Sequence, residues 1–181
     1  MARKEKYTKK DLLKYGVKFV DKYGIDKLNA RDLGKFIGCS TQPIFRHYKT
    51  LYDYKVDLRS EIHKHYEKFI EKYIDKDNYL LTISYAYAIY AKKEPNLFQA
   101  LFMTDLAKIR TIEEVLHSSW NRETIESTKE TFHLTMEKAE ALYRDVRFFT
   151  HGMACQLCAK SIKLTDQELY NLINNIIIKL R

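Results

Sequence analysis

The sequence is poor in chain breakers, with 5 Gly and 2 Pro among 181 residues. Long stretches run without a residue that ends a helix. Period-two alternation of apolar and polar residues is also scarce, which excludes a sheet of many short strands and turns. Cysteine is equally sparse. Cys39, Cys155 and Cys158 make an odd set of 3, which excludes a disulfide framework and fits a reducing compartment, so a cytoplasmic location is expected. The polar, basic start from Met1 to Lys10 contains no apolar core, and no secretory leader is expected. The longest uncharged run, Asn78 to Ala91, is too short and too polar to span a bilayer, so no membrane partner is expected. No Gly-rich phosphate loop, HExxH or GxSxG occurs, and the 6 His are scattered. An enzyme is therefore not expected, nor a catalytic residue, a cofactor or a bound metal.

What remains is abundant apolar and basic material. Apolar residues make up 45% of the chain, including 14 Tyr and 9 Phe, enough for a sizeable core. The spacing predicts an all-α chain of about nine helices, with a small N-terminal head and a larger C-terminal body. Charge is unevenly spread. Residues 1–70 hold 17 Lys/Arg against 9 Asp/Glu, whereas residues 71–181 hold 15 of each. The net +8 of the chain therefore resides in the N-terminal part. Clustered Lys/Arg point to a polyanion, because neutralising phosphates releases counterions.

Helix starts and stops are legible along the chain. Thr8 with Asp11 reads as a capping pair, and Gly24 as the stop of the first helix. Asn29 caps a second, with Leu33, Phe36 and Ile37 on its apolar face. Ser40 is expected to cap a third, short helix over 41–48, with Pro43 tolerated in its first turn. Thr50 and Asp53 open a long helix expected to reach about Ile74. Further helices are predicted over 79–91, from Pro95 through Phe102, over 124–133, over 135–160, and from a Thr165/Glu168 capping box to Leu180. One or two turns are expected around 112–116. The expected domain division is 1–50 and 51–181, with the helix over 51–74 as connector.

Gly24 to Lys49 carries the most informative pattern. Two short helical patterns meet at the turn Gly38-Cys39-Ser40, and the second ends in Arg46, His47 and Lys49. This is the sequence form of a helix-turn-helix, whose second helix enters the major groove of duplex DNA. Thr41, Gln42 and Arg46 fall on the outward side, with Ile44 as anchor and Tyr48 closing the end. Gln42 suits an adenine edge, and Arg46 a guanine or a phosphate. His47 and Lys49 are expected on the phosphate backbone. Gly34 costs about 1 kcal/mol of helix propensity relative to Ala, which close approach of two backbones at the turn would offset. A helical hairpin with no DNA role remains the competing reading.

From Gly24 to Leu58 the sequence resembles the N-terminal domain of the TetR family of bacterial transcriptional regulators. The matching pieces are Gly24, Asn29-Ala-Arg-Asp-Leu-Gly-Lys, Gly38-Cys-Ser and Pro-Ile-Phe-Arg-His-Tyr at 43–48. Ala91-Lys-Lys-Glu-Pro-Asn-Leu-Phe, Leu101-Phe-Met and Phe149-Thr-His-Gly-Met-Ala are similar to segments of one subgroup. The resemblance implies an all-α homodimer that binds a palindromic operator, most often as a repressor, and whose C-terminal body takes a small effector. The DNA-facing set it implies here is Asn29, Arg31, Ser40, Thr41, Gln42, Pro43, Phe45, Arg46, His47, Lys49 and Tyr52. Two positions depart from the family pattern: Phe45 stands where Tyr is frequent, and Leu51 where Lys is frequent. Both family residues typically contact phosphate. That anchoring is expected to pass to Lys49, His47, Arg31, Asn29, Tyr52 and the arm residues Arg3, Lys4 and Lys6.

Three further readings concern the body. Leu142, Val146, Phe149 and Met153, with Leu169, Ile173, Ile176 and Ile177, form apolar stripes expected at a dimer seam, or else in the core of a single chain. Tyr85, Ile89, Phe102, Met103, Trp120, Phe132 and Phe148 are candidates to line an effector pocket for an apolar or aromatic ligand, with ordinary core packing as the alternative. His151, Cys155 and Cys158 share one helix face and could sense metal or oxidant, or be small buried residues. For the whole chain the alternative function is a ligand-binding or protein-interaction module of TetR-like fold with weakened DNA binding.

Overall fold

The computed structural model describes residues 7–104 and 110–181, the Trp120 side chain excepted. Arg3, Lys4 and Lys6 lie outside the described residues. The chain is all-helical, 79% helix and without strands among the described residues, and has ten α-helices against the expected nine or so. They are α1 Lys9–Tyr23, α2 Ala30–Ile37, α3 Gln42–His47, α4 Leu51–Ile70, α5 Tyr79–Lys93, α6 Pro95–Phe102, α7 Ile112–Leu116, α8 Ser119–Phe132, α9 Met136–Cys158 and α10 Asp166–Leu180. Short 3-10 turns lie at Ile25–Lys27 and Lys76–Asn78. No helix among the described residues is long and apolar enough to cross a membrane.

The capping residues act as their chemistry demands. Thr8 accepts from the Asp11 N–H while the Asp11 carboxylate accepts from the Thr8 N–H, so two helix-end donors are satisfied reciprocally. Thr50 and Asp53 do the same ahead of α4, and Thr165 and Glu168 ahead of α10. Three of the boundaries that differ from expectation have a visible cause. α4 stops at Ile70, where the Tyr73 N–H turns back to the Ile70 carbonyl at 2.9 Å. Apolar spacing continues past that point because Tyr73 still stacks on Phe69, with ring centroids 5.4 Å apart. α8 begins at Ser119 rather than Thr124. Ser118 and Asn121 side chains donate to the Val115 carbonyl at 3.0 and 2.6 Å, so side chains satisfy the joint between α7 and α8. α3 takes Thr41 rather than Ser40 as its flanking residue, although the Ser40 hydroxyl still accepts from the Gln42 N–H.

Two compact units divide the chain, one of Met1–Tyr66 with Glu94–Ala107, the other of Glu67–Lys93 with Lys108–Arg181. The first thus adds the start of α4 and all of α6 to the N-terminal helices. Its core holds Leu12, Phe19, Leu33, Ile44, Tyr54 and Leu58 together with Leu97, Phe98 and Leu101 of α6. Burying each such side chain contributes on the order of 1.5–3 kcal/mol. Arg59 donates to the Leu101 carbonyl at 3.0 Å and Asn96 to the Asp21 carbonyl at 2.7 Å, which fixes α6 against this unit's other helices.

The second unit is built around α5, buried along most of its length at Leu80, Ala86, Ala88, Ile89, Tyr90 and Ala91. α9 lays Ala139, Leu142, Val146, Met153 and Leu157 into the same core, and α10 adds Leu169, Ile173 and Ile177. Lys92 joins α5 to α10, donating to the Leu164 carbonyl at 2.7 Å and to Asp166 at 2.6 Å.

Candidate nucleic-acid interface

The segment from Asn29 to Tyr52 lies wholly in the first unit. Asn29 opens α2 by accepting from the Asp32 N–H at 2.9 Å. Gly38 ends it in the left-handed region at φ 80, ψ 36, where a side chain would be strained. The Cys39 N–H then returns to the Gly34 carbonyl at 2.9 Å. A Cβ at Gly34 would lie 2.9 Å from the Cys39 carbonyl oxygen, so this position is glycine because the turn backbone crosses it closely. Pro43 falls in the first turn of α3, where backbone N–H groups lack helical partners.

α3 divides sharply into an inner and an outer side. Ile44 is fully buried and Tyr48, just past its end, is 5% exposed. Tyr48 meets Tyr54 edge-on at 5.1 Å and lies beneath the Lys9 ammonium at 5.0 Å. Burial, with Asp57 nearby, pushes the Tyr48 phenol well above its ordinary value, so it stays neutral. The outer side carries Gln42, Phe45, Arg46 and, one turn on, Lys49, all exposed. Among the described residues the side chains of Gln42, Arg46 and Lys49 make no hydrogen bond or ion pair. Phe45 is 49% exposed and Tyr52, in the first turn of α4, 62%. Asn29, Arg31 and Ser40 are also exposed, while Thr41, Pro43 and Leu51 are half-buried.

His47, expected on the phosphate backbone, has a contact within the chain. It is half-buried, and its Nε2 pairs with the Tyr7 carbonyl at 3.2 Å. The ring ties Tyr7, just ahead of α1, to the end of α3.

The expected effector residues fall in different units. Phe102 packs between Tyr66 and Phe98 in the first, with ring centroids at 5.4 and 5.1 Å, and Met103 is 46% exposed. In the second, Ile89 is fully buried, Tyr85 meets Tyr73 and Tyr170, and Phe148 is 60% exposed. Phe148 is therefore a surface residue rather than a pocket wall. The Trp120 side chain lies outside the described residues. Phe132 lines a cavity of about 240 Å³ with Leu81, Thr131, Asn174 and Ile177, the Arg181 guanidinium standing 5.6 Å from its ring centre. That volume is below the usual range for a drug-sized ligand, about 300–1,000 Å³.

The apolar stripes, expected at a dimer seam or in the core of a single chain, take the second place for most of their residues. Leu142, Val146, Leu169, Ile173 and Ile177 are at most 3% exposed and Met153 8%, all within the second unit. A side chain already removed from water inside one chain has no surface left to give a partner. Ile176 is half-buried. Of the expected set only Phe149, 38% exposed, offers substantial surface, alongside Phe148, Leu172 at 40% and Ile178 at 54%. The second unit itself covers the rest of both stripes.

His151 and Cys155 do come together. Tyr87 Oη pairs with His151 Nδ1 at 2.7 Å, and His151 Nε2 lies 3.5 Å from Cys155 Sγ. Burial pushes both the Cys155 and Cys158 thiols above their ordinary values, which disfavours the reactive thiolate. Among the described residues no group of three or more His, Cys, Asp or Glu could hold a metal ion.

No protein-family model matches the chain, and no curated protein matches it.

Proposed function

We propose that this chain is a TetR-like DNA-binding transcriptional regulator, a cytoplasmic homodimer that represses from a palindromic operator and is released by a small, largely apolar effector. The observation that carries the reading is the outer side of α3. Its Gln42, Arg46 and Lys49 are exposed and uncommitted, on a helix anchored by a fully buried Ile44. They belong to the stretch that holds the chain's entire excess of positive charge. A short anchored helix with free amide and guanidinium groups is what direct readout of base edges requires.

In this reading Gln42 pairs with an adenine edge and Arg46 with a guanine. Lys49, Arg31, Asn29 and Tyr52 hold phosphates. His47 joins them, its ring also pairing with the Tyr7 carbonyl. One six-residue helix reads too few bases for specificity, and a second copy supplies the other half-site. The exposed apolar residues that α9 and α10 offer a second copy are Phe148, Phe149, Leu172 and Ile178. Gly152 lies on α9 near the two phenylalanines, and a Cβ there would meet nothing within 4 Å. A mid-helix Gly costs about 1 kcal/mol relative to Ala, which close approach of a second helix would repay.

The test is binding to genomic DNA fragments across a salt series, followed by footprinting. The reading expects a two-fold symmetric protected site. Absence of any protected site at moderate salt would remove it.

A further inference from the structure

The outer side of α3 contains one residue that hydrogen bonding cannot explain. Phe45 is 49% exposed and makes no ring contact among the described residues. It lies between Gln42 and Arg46 in sequence and follows the buried Ile44 directly, about 100° round the helix, at the edge of the exposed side beside Gln42. A phenyl ring so placed has no polar atom with which to hold a phosphate. It keeps apolar surface in water unless a partner covers it. The partner must be apolar where it meets the ring and anionic around it, because the flanking residues are Arg46 and Lys49 and the net charge over residues 1–70 is +8.

Duplex DNA offers one apolar group in the major groove, the C5-methyl of thymine. We infer that Phe45 is a specificity-determining residue that reads a thymine C5-methyl, next to the base edges taken by Gln42 and Arg46. The inference rests on the proposed DNA-binding role and adds to it a sequence requirement. Gln42 three residues earlier is suited to adenine, whose pairing partner carries such a methyl. The expected half-site therefore contains an A·T step beside the pair read by Arg46. A phenyl ring cannot donate to a phosphate, so in this reading the backbone grip falls to Tyr52, Lys49, Arg31 and Asn29.

The experiment uses the full chain. A bound site is first selected from a random duplex pool. Each thymine in it is then replaced singly by deoxyuridine, which removes only the methyl. The expected result is about a fourfold loss of affinity at one thymine position per half-site, the equivalent of the ~0.8 kcal/mol for withdrawing one methylene-sized group from water. Phe45→Ala should bind the thymine and deoxyuridine forms of that site equally. Phe45→Leu, which keeps an apolar tip, should retain part of the difference. Because Phe45 is exposed, neither change threatens the fold. Binding that ignores every deoxyuridine substitution, or a methyl effect that persists unchanged in Phe45→Ala, overturns this inference while leaving the DNA-binding role standing. Failure to select any site from the pool overturns both.

Discussion

The Tyr54 hydroxyl donates to the Leu12 carbonyl at 2.8 Å, in the fully buried space between α4 and α1. This bond spans the first unit from its longest helix to its first, and it satisfies a hydroxyl that burial would otherwise penalise. Burial pushes the Tyr54 phenol well above its ordinary value, so the donor stays protonated at any ordinary pH. Tyr54→Phe should destabilise the chain by about 0.5–1.5 kcal/mol, read as a lower urea midpoint with unchanged slope.

Gly16 makes that approach of α1 to α4 possible. A Cβ at Gly16 would overlap the Tyr54 hydroxyl and lie 2.8 Å from Leu58 Cδ1. Two effects then oppose each other in Gly16→Ala. Helix propensity favours Ala by about 1 kcal/mol, while overpacking costs about 1–3 kcal/mol. Overlap with a ring held by its own hydrogen bond puts this site at the upper end, so the variant should be less stable in thermal or urea unfolding.

Much of this was legible in the sequence, and the reasons differ from element to element. The capping pairs Thr8/Asp11, Thr50/Asp53 and Thr165/Glu168 are local chemistry, so spacing alone located three helix starts. Ile44 as anchor, the turn at Gly38 and the close approach at Gly34 followed from two short helical patterns meeting at a Gly-containing turn. Burial of Leu142, Val146 and Ile173 inside one unit was not legible, because an apolar stripe does not state which surface covers it. The start of α8 was not legible because side-chain bonds from Ser118 and Asn121 leave no apolar period. The His47–Tyr7 contact joins residues 40 positions apart, beyond the reach of any local pattern.

His151 makes stability depend on pH. Burial, then the nearby Arg147 charge, lowers its pKa below the ordinary 6.5. The folded chain thus binds fewer protons than the unfolded one as pH falls through that region. The stability contributed by neutral His151 is fully present above about pH 6.5 and is lost as pH falls towards its lowered value. Thermal midpoints should therefore drop on mild acidification. His151→Asn should flatten that part of the profile; an unchanged profile would show that other groups set it.

Within the homodimer proposal, the exposed apolar residues of α9 and α10 yield a test of assembly. Phe148→Asp adds charge to an exposed ring position and should leave the helical signal intact. It should convert a dimer to monomer in sedimentation at micromolar concentration. A dimer that survives the change would place the self-contact elsewhere.

Within the DNA-binding proposal, Arg46→Ala separates base reading from phosphate holding. Loss confined to one base position, about 1–3 kcal/mol with relaxed preference there, places Arg46 on a base edge. An equal loss on every sequence, with a shallower salt slope, places it on phosphate.

The most direct test of the central claim is footprinting of the full chain on selected DNA across a salt series. The account predicts affinity that falls steeply with salt and a protected, two-fold symmetric site with half-site centres about 34–36 Å apart. A chain that protects no DNA at moderate salt would contradict it.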